Sequence, residues 1–308
     1  MLVKSMLLSV LLTLTSVLSP LSQVDTASVP SNFFDCLTNP NAAEALLPQD
    51  RAAQVPILMY HHFTLDPTEN TASTAYIEDF RAQMTALAQD GWTAVSYQDL
   101  LDYVECGAPL PEKPIVITLD DGYQSNLDLA LPILAENGFC ATISVIGCSV
   151  GKTTYKDSGS PMFPHFSFES VAPYVEAGIF DVQTHSYDMH QVASLDGTDC
   201  RLGVLRMEGE SDEDYTAAFT ADYLRAKEEL ESALDVECRV FTYPYGFWDA
   251  RTEEILQSLG VQVTVTIDPG VNLIVQGAPQ SLYHLKRINV PGGMTAQELM
   301  DALAGYLN

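Results

Sequence analysis

The stretch Ile115-Val-Ile-Thr-Leu-Asp-Asp-Gly122 is an apolar run that ends in two adjacent carboxylates and a glycine. Such a run is typical of a buried strand in a parallel sheet, and active sites of parallel α/β folds lie at the carboxyl ends of strands. We expect a turn at Gly122 to bring Asp120 and Asp121 toward one pocket. One carboxylate could then bind a metal ion while the other accepts a proton, but a plain surface turn explains this motif alone equally well.

Short apolar runs alternate with helical patterns along the rest of the chain. Helical spacing of apolar residues predicts helices around Ile77–Gln89 and Asp212–Leu234, and Thr295 with Glu298 predicts a capping box for a last helix. This alternation predicts one α/β domain with a parallel sheet, closed or nearly closed into a barrel and covered by helices. The other runs that we interpret as strands are Pro56–Tyr60, Ala141–Ile146, Asp181–His185, Val240–Tyr243 and Gln262–Ile267.

The N-terminal region resembles an export signal. Met1–Lys4 is a small positive segment, and Met6–Leu18 is an apolar run that is too short to cross a bilayer comfortably, which takes about 20 apolar residues. We therefore predict a signal peptide or an uncleaved N-terminal anchor over residues 1–27, a linker over 28–54 and the catalytic domain over 55–308. The domain is expected to be secreted or displayed at the cell surface.

The charge balance limits the partners of the protein. The chain has 14 basic and 41 acidic residues and a formal net charge of −27, so it would repel a phosphate polymer. This excludes nucleic acid as a partner, and membrane contact is expected only through an uncleaved N-terminal anchor. Six cysteines without a CxxC pair neither prove nor exclude disulfides, and no pattern indicates an oligomeric state.

Two further motifs follow predicted strands. His185 and His190 flank a short loop, and an aspartate with two histidines can bind a zinc-like ion while coordination positions stay open for catalysis. The segment Phe241-Thr-Tyr-Pro-Tyr-Gly246 contains a tight turn that can expose a backbone N–H to a developing oxyanion. Each motif alone is also compatible with a purely structural role.

Together these residues resemble the polysaccharide deacetylase family, the chitin and peptidoglycan deacetylase domain of carbohydrate esterase family four. Leu119–Gly122 resembles its first motif, His185 to His190 its second and Phe241 to Gly246 its third, in the same order. With Pro56-Ile-Leu-Met-Tyr-His-His62 the resemblance extends from residue 55 to about residue 290. It implies a distorted (β/α)7 barrel and one divalent metal ion, with zinc expected first and cobalt, nickel or iron as alternatives.

The resemblance also implies roles for individual residues. Asp120 would be the general base, Asp121, His185 and His190 would hold the metal, and Tyr245 would supply the backbone N–H of the oxyanion site. The reaction implied is removal of N-acetyl groups from an N-acetylglucosamine polymer of an extracellular matrix or cell wall. The histidines are five residues apart instead of the usual four, which resembles the branch that acts on poly-β-1,6-N-acetylglucosamine.

Several positions depart from the family pattern. Thr242 stands where many members carry an arginine that orients the base, and Arg287 is a candidate replacement. The late catalytic histidine of the family has no clear equivalent, although His284 lies near its expected place. His61 and His62 follow the first predicted strand, where they could contact substrate or serve as a spare acid, or could be structural. His284 and Arg287 are, with these two histidines, the candidate substrate-binding residues.

Other functions remain open at this point. The same metal site could cleave O-acetyl esters of xylan or peptidoglycan, or the barrel could bind glycan with little or no catalysis. A glycosidase is less compatible, because its two carboxylates stand about 5–9.5 Å apart across the bond whereas Asp120 and Asp121 are adjacent.

Overall fold

The computed structural model describes residues 51–156 and 158–307, which belong to one compact unit. The predicted signal peptide or anchor and most of the predicted linker lie outside these residues. The described chain contains fourteen strands. They are β1 (Ala52–Val55), β2 (Ile57–Tyr60), β3 (His62–Thr64), β4 (Thr74–Tyr76), β5 (Thr93–Ala94), β6 (Pro114–Asp121), β7 (Ala141–Val145), β8 (Thr154–Tyr155), β9 (Ser160–Pro161), β10 (Phe180–Thr184), β11 (Val240–Thr242), β12 (Val263–Pro269), β13 (Asn272–Val275) and β14 (Leu285–Asn289).

Seven of these strands form a closed parallel barrel. Their order around the barrel is β2, β14, β12, β11, β10, β7 and β6, and β6 pairs with β2 to close it. The barrel is distorted, because β10 and β11 share only the pair Thr184 and Phe241, and the register of β12 against β14 shifts between Val265 and Pro269. The predicted (β/α)7 barrel is confirmed.

Eight α-helices accompany the strands in the described chain. The two long helices and the capping box match the predictions, since Thr295 N donates to Glu298 Oε2 at 2.8 Å and Glu298 N donates to Thr295 Oγ1 at 3.2 Å. The helices are α1 (Ile77–Gln89), α2 (Tyr97–Cys106), α3 (Leu131–Asn137), α4 (Phe168–Glu176), α5 (Ala193–Asp196), α6 (Asp212–Leu234), α7 (Ala250–Ser258) and α8 (Ala296–Leu307).

The small strands border the barrel. β1 begins three residues before the expected start of the domain and pairs antiparallel with β13, while β5 extends the sheet beside β6. β3 pairs with β4, and β8 with β9 forms a short hairpin after β7.

The barrel interior changes from apolar to polar along β6. Val116, Thr118 and Asp120 share one face of β6, because side chains alternate along a strand. Val116 belongs to an apolar cluster with residues of β11, β12 and β14, whereas Thr118 and Asp120 contact Arg287 of β14. Polar side chains therefore collect at the carboxyl ends of the strands, where the active site was expected.

Candidate active site

The two carboxylates of β6 are separated by a sharp turn. Asp121 has φ of 73° and Gly122 has φ of 85°, so the chain leaves the strand through two left-handed residues. A Cβ on Gly122 would lie 2.9 Å from Val145 Cγ1, which explains the need for glycine. As a result, both Asp120 and Asp121 line a single cleft with a volume of about 1240 Å³.

Asp120 is held by the guanidinium of Arg287. Arg287 Nη1 donates to Asp120 Oδ1 at 2.8 Å and to Thr118 Oγ1 at 3.2 Å, and its Nε donates to the carbonyl of Thr266 at 2.7 Å. Burial by itself raises the pKa of Asp120, but the nearby Arg287 charge opposes this, and the pKa falls to about 2. Asp120 is therefore ionised at neutral pH and can accept a proton.

Three candidate metal ligands, Asp121, His185 and His190, converge beside Asp120 and Arg287. His185 Nε2 lies 3.7 Å and His190 Nε2 3.5 Å from Asp121 Oδ1, and one ligand atom from each residue lies within 4.8 Å of the others. Burial lowers the pKa of His190 to about 4 and also lowers the pKa of His185, so both rings are neutral at physiological pH. Neutral imidazoles keep a lone pair for a cation.

The surroundings of these atoms fit a divalent cation. His185 Nδ1 lies 2.6 Å from the carbonyl oxygen of Thr242, which can only accept, so Nδ1 carries the proton and Nε2 presents its lone pair. Asp121 Oδ1 is buried and has no hydrogen-bond partner. A buried carboxylate oxygen without a partner, facing the Nε2 atoms of two neutral imidazoles, is the donor set expected of a zinc-type site.

Sequence reasoning missed the residue that fixes the loop between the two histidines. Asp222 on α6 accepts a hydrogen bond from Tyr187 N at 2.8 Å and from Asp188 N at 2.7 Å. This carboxylate anchors the loop that carries His190. No local sequence signal links it to the loop, because 32 positions separate Asp222 from His190 along the chain.

Tyr245 lies in the turn after β11, beside the candidate metal ligands. Its φ of 54° is left-handed, and its ring centroid lies 4.3 Å from that of His190. The turn places the backbone of Tyr245 at the carboxyl end of β11, where the oxyanion donor was expected. Its role as that donor remains a prediction.

The other predicted residues separate into different environments. His61 lines the cleft, with Nε2 3.9 Å from Asp120 Oδ2, whereas His62 stacks on Phe163 with its Nδ1 2.9 Å from Ser125 Oγ. Arg287 is buried beside Asp120 and its guanidinium contacts that carboxylate at the wall of the cleft, while its predicted contact with substrate stays a prediction.

His284 lies in a different environment. Its ring stacks on Trp248 at 3.8 Å and its Nε2 lies 2.9 Å from Glu253 Oε2 on α7, and it is absent from the lining of the cleft. The structure therefore does not bring His284 to the other site residues. Trp248 and Glu253 engage the imidazole, and a contact of His284 with substrate stays a prediction.

Two cleft residues were not singled out from the sequence. Tyr123 follows the turn of β6 and lines the cleft; burial and the nearby Asp121 carboxylate raise the pKa of its hydroxyl. His165 also lines the cleft, and its Nδ1 lies 2.9 Å from the carbonyl of Phe163. The Tyr123 hydroxyl is thus protonated and can donate to Asp121.

The family comparison agrees with this geometry. The family described as "Polysaccharide deacetylase" matches residues 107–264, just over half of the chain. The chain belongs to the polysaccharide deacetylase family. It is accordingly a hydrolase of acetylated polysaccharide, and the matched segment includes the Asp-Asp-Gly turn, both loop histidines and the turn at Tyr245.

Individual relatives are distant. YxkH of Bacillus subtilis is 24% identical over 251 residues, which cover 82% of this chain and 76% of YxkH. The poly-β-1,6-N-acetyl-D-glucosamine N-deacetylase of Escherichia coli K12 is 24% identical over 227 residues, 70% of this chain but only 34% of that enzyme. The structure of IcaB from Ammonifex degensii superposes with a TM-score of 0.65 at 26% identity and covers 81% of this chain and 96% of IcaB.

Proposed function

We propose that this deacetylase uses a divalent metal ion to remove N-acetyl groups from a poly-β-1,6-N-acetylglucosamine type of polymer outside the cytoplasm. The observation that carries the proposal is the convergence of Asp121, His185 and His190 beside an ionised Asp120 in one cleft. A glycan-binding barrel without chemistry would have no need to keep this set together.

Residues of this chain can accept or donate the protons of the reaction and form its hydrogen bonds. Asp121, His185 and His190 would hold the cation, which when bound lowers the pKa of water and polarises a carbonyl. Asp120 takes a proton from the water that attacks the acetyl carbon, and Arg287 keeps that carboxylate ionised and oriented. The backbone N–H of Tyr245 stabilises the oxygen that becomes negative.

The leaving nitrogen needs a proton before the C–N bond breaks. His61 is suited to donate it, because it lines the cleft and its Nε2 lies 3.9 Å from Asp120 Oδ2. The other cleft histidines are engaged, since His185 and His190 face Asp121 and His165 is directed to a backbone carbonyl. The products are acetate and a free amine on the polymer.

Two observations support the choice of polymer. The five-residue spacing of His185 and His190 resembles the branch of the family that acts on the β-1,6-linked polymer, and the E. coli relative carries that substrate in its name.

The apolar leader at residues 6–18 supports export. Across residues 51–156 and 158–307, no helix combines the length and apolar character that a membrane crossing requires.

The proposal is tested by metal content and acetate release on oligomers of β-1,6- and β-1,4-linked N-acetylglucosamine and on O-acetylated xylan. The wild type should carry about one divalent ion and prefer the β-1,6 oligomer. Asp121→Asn and His185→Ala should lose metal and activity together. His61→Ala should keep the metal and slow acetate release by about 10²–10⁴-fold.

A matched control is Asp128→Asn, an exposed carboxylate on the segment after β6, which should change neither quantity. Acetate release that is indifferent to Asp121→Asn would contradict the assigned site. Faster release from xylan than from either glucosamine oligomer would make the protein an O-acetyl esterase instead.

A further inference from the structure

Phe163 is a large apolar side chain that stays exposed at the edge of the active-site cleft. It follows the β8–β9 hairpin, lines the cleft and is 54% exposed. Exposed aromatic rings at a concave site are characteristic of ligand contacts, since a folded chain otherwise tends to bury such a ring. The catalytic steps proposed above make no use of it.

One face of the Phe163 ring is already supported. The imidazole of His62 stacks beneath it with ring centroids 4.0 Å apart and an interplanar angle of 22°. His62 is itself fixed, since its Nδ1 lies 2.9 Å from Ser125 Oγ, and the carbonyl of Phe163 receives the Nδ1–H of His165 at 2.9 Å. The ring is thus positioned before any ligand arrives, which lowers the entropic cost of binding.

The position of the ring relative to the reaction centre is set by Tyr123. Tyr123 lines the same cleft as Asp121, and its ring meets Phe163 edge-on with centroids 6.2 Å apart. One aromatic side chain therefore separates Phe163 from the candidate metal ligands. Because Phe163 and Asp121 line the same cleft, a polymer with its acetyl group at Asp121 has room to extend toward Phe163.

We infer that Phe163, backed by His62, is an aromatic platform that binds the sugar ring next to the one being deacetylated. This inference rests on the proposed function and names a binding subsite for its substrate. The face of an aromatic ring carries negative potential, which complements the polarised C–H groups on the flat face of a pyranose, while the sugar hydroxyls stay in water at the edge. Phe163 would act on binding and His62 as its positioning residue.

The experiment compares N-acetylglucosamine monomer with the β-1,6-linked pentamer as substrates and measures KM and kcat for acetate release. Phe163→Ala should raise KM for the pentamer by about threefold to tenfold, leave kcat nearly unchanged and leave the monomer unaffected. Phe163→Trp keeps the flat face and should behave as the wild type. Phe163→Leu keeps apolar bulk without that face and should resemble Phe163→Ala.

His62→Ala should raise KM for the pentamer in the same direction, because the support beneath the ring is lost. Leu65→Ala is the control, since Leu65 is 71% exposed but does not line the cleft. An unchanged pentamer KM in Phe163→Ala, or a wild-type KM in Phe163→Leu, overturns the platform.

Failure of the platform can be told apart from failure of the proposed function. A wild type that releases no acetate from any glycan refutes the function, and the platform is then measured as calorimetric affinity for the same pentamer. A weaker affinity in Phe163→Ala supports the platform even then, whereas equal affinities refute it.

Discussion

Replacing Arg287 with methionine tests whether Asp120 depends on a buried partner. The Arg287 side chain is 0% and the Asp120 side chain 2% exposed, and the two are joined by a 2.8 Å hydrogen bond. Removing one member of a buried ion pair costs about 3–5 kcal/mol, because the remaining charge stays unpaired in a poorly solvated site. We expect Arg287→Met to lower the free energy of unfolding by about this amount.

The assay is urea unfolding of wild type, Arg287→Met, Asp120→Asn and the double variant at neutral pH. Residues in direct contact show coupling energies of about 0.5–3 kcal/mol, so the double variant should be less destabilised than the sum of the single variants. Arg81→Met is the control: its ion pairs are exposed, and such pairs contribute about 0–1 kcal/mol. Additive effects would refute the claim that Arg287 holds Asp120.

The pH dependence gives a second check on the same pair. The pKa of Asp120 is lowered from 3.8 to about 2 in the folded protein, so its contribution to stability is complete above about pH 4 and is lost as the pH falls toward 2. Without Arg287 the largest cause that lowers this pKa is lost, and burial acts to raise it. The stability difference between wild type and Arg287→Met should therefore be largest at neutral pH and shrink below pH 4. A difference that is constant with pH would argue that the destabilisation is only lost packing.

Three further outcomes are expected. Dialysis against a chelator should abolish acetate release and lower the melting temperature, and added zinc should restore both; an unchanged melting temperature would argue against a bound structural cation. Asp222→Asn should weaken metal affinity by about 10–100-fold in a competitive titration, because the loop of His190 loses its anchor, and unaltered affinity would contradict that role. Gly122→Ala should cost about 1–3 kcal/mol in urea unfolding, since φ of 85° and the contact with Val145 both disfavour a Cβ; a neutral effect would contradict the strained turn.

Much of the fold follows from apolar runs that end in polar residues. Six predicted strands correspond to barrel strands to within two residues at each end, because each run is bounded by residues that a buried strand does not tolerate. The seventh, β14, was not predicted. Its sequence Leu-Lys-Arg-Ile-Asn has only two apolar residues, since one of its inward positions carries Arg287 instead of an apolar side chain.

The position of His284 has a separate origin. His284 lies just before β14, and its φ of 56° is left-handed, so the alternation of side chains along that strand does not extend to it. Its ring packs on Trp248 and faces Glu253 of α7 instead. Recognising β14 would have placed Arg287 in the barrel interior, whereas proximity in sequence suggested one site for both residues.

The barrel also explains how Asp120, the proposed base, can keep a guanidinium beside it while Thr242 stands where many members of the family carry an arginine. The Thr242 hydroxyl bonds Ser144 Oγ at 2.7 Å, and its carbonyl accepts from His185, so its backbone positions a candidate metal ligand and a small side chain suffices. Closing the sheet brings β14 beside β2, which is paired to β6, and Arg287 thereby reaches Asp120 from the opposite side. The arginine can thus come from a different strand, provided that its guanidinium enters the same layer of the barrel interior as Asp120. A search for the orienting residue in other members should therefore examine every strand that faces the base, because the requirement is a buried positive charge at Asp120 and not an arginine in one motif.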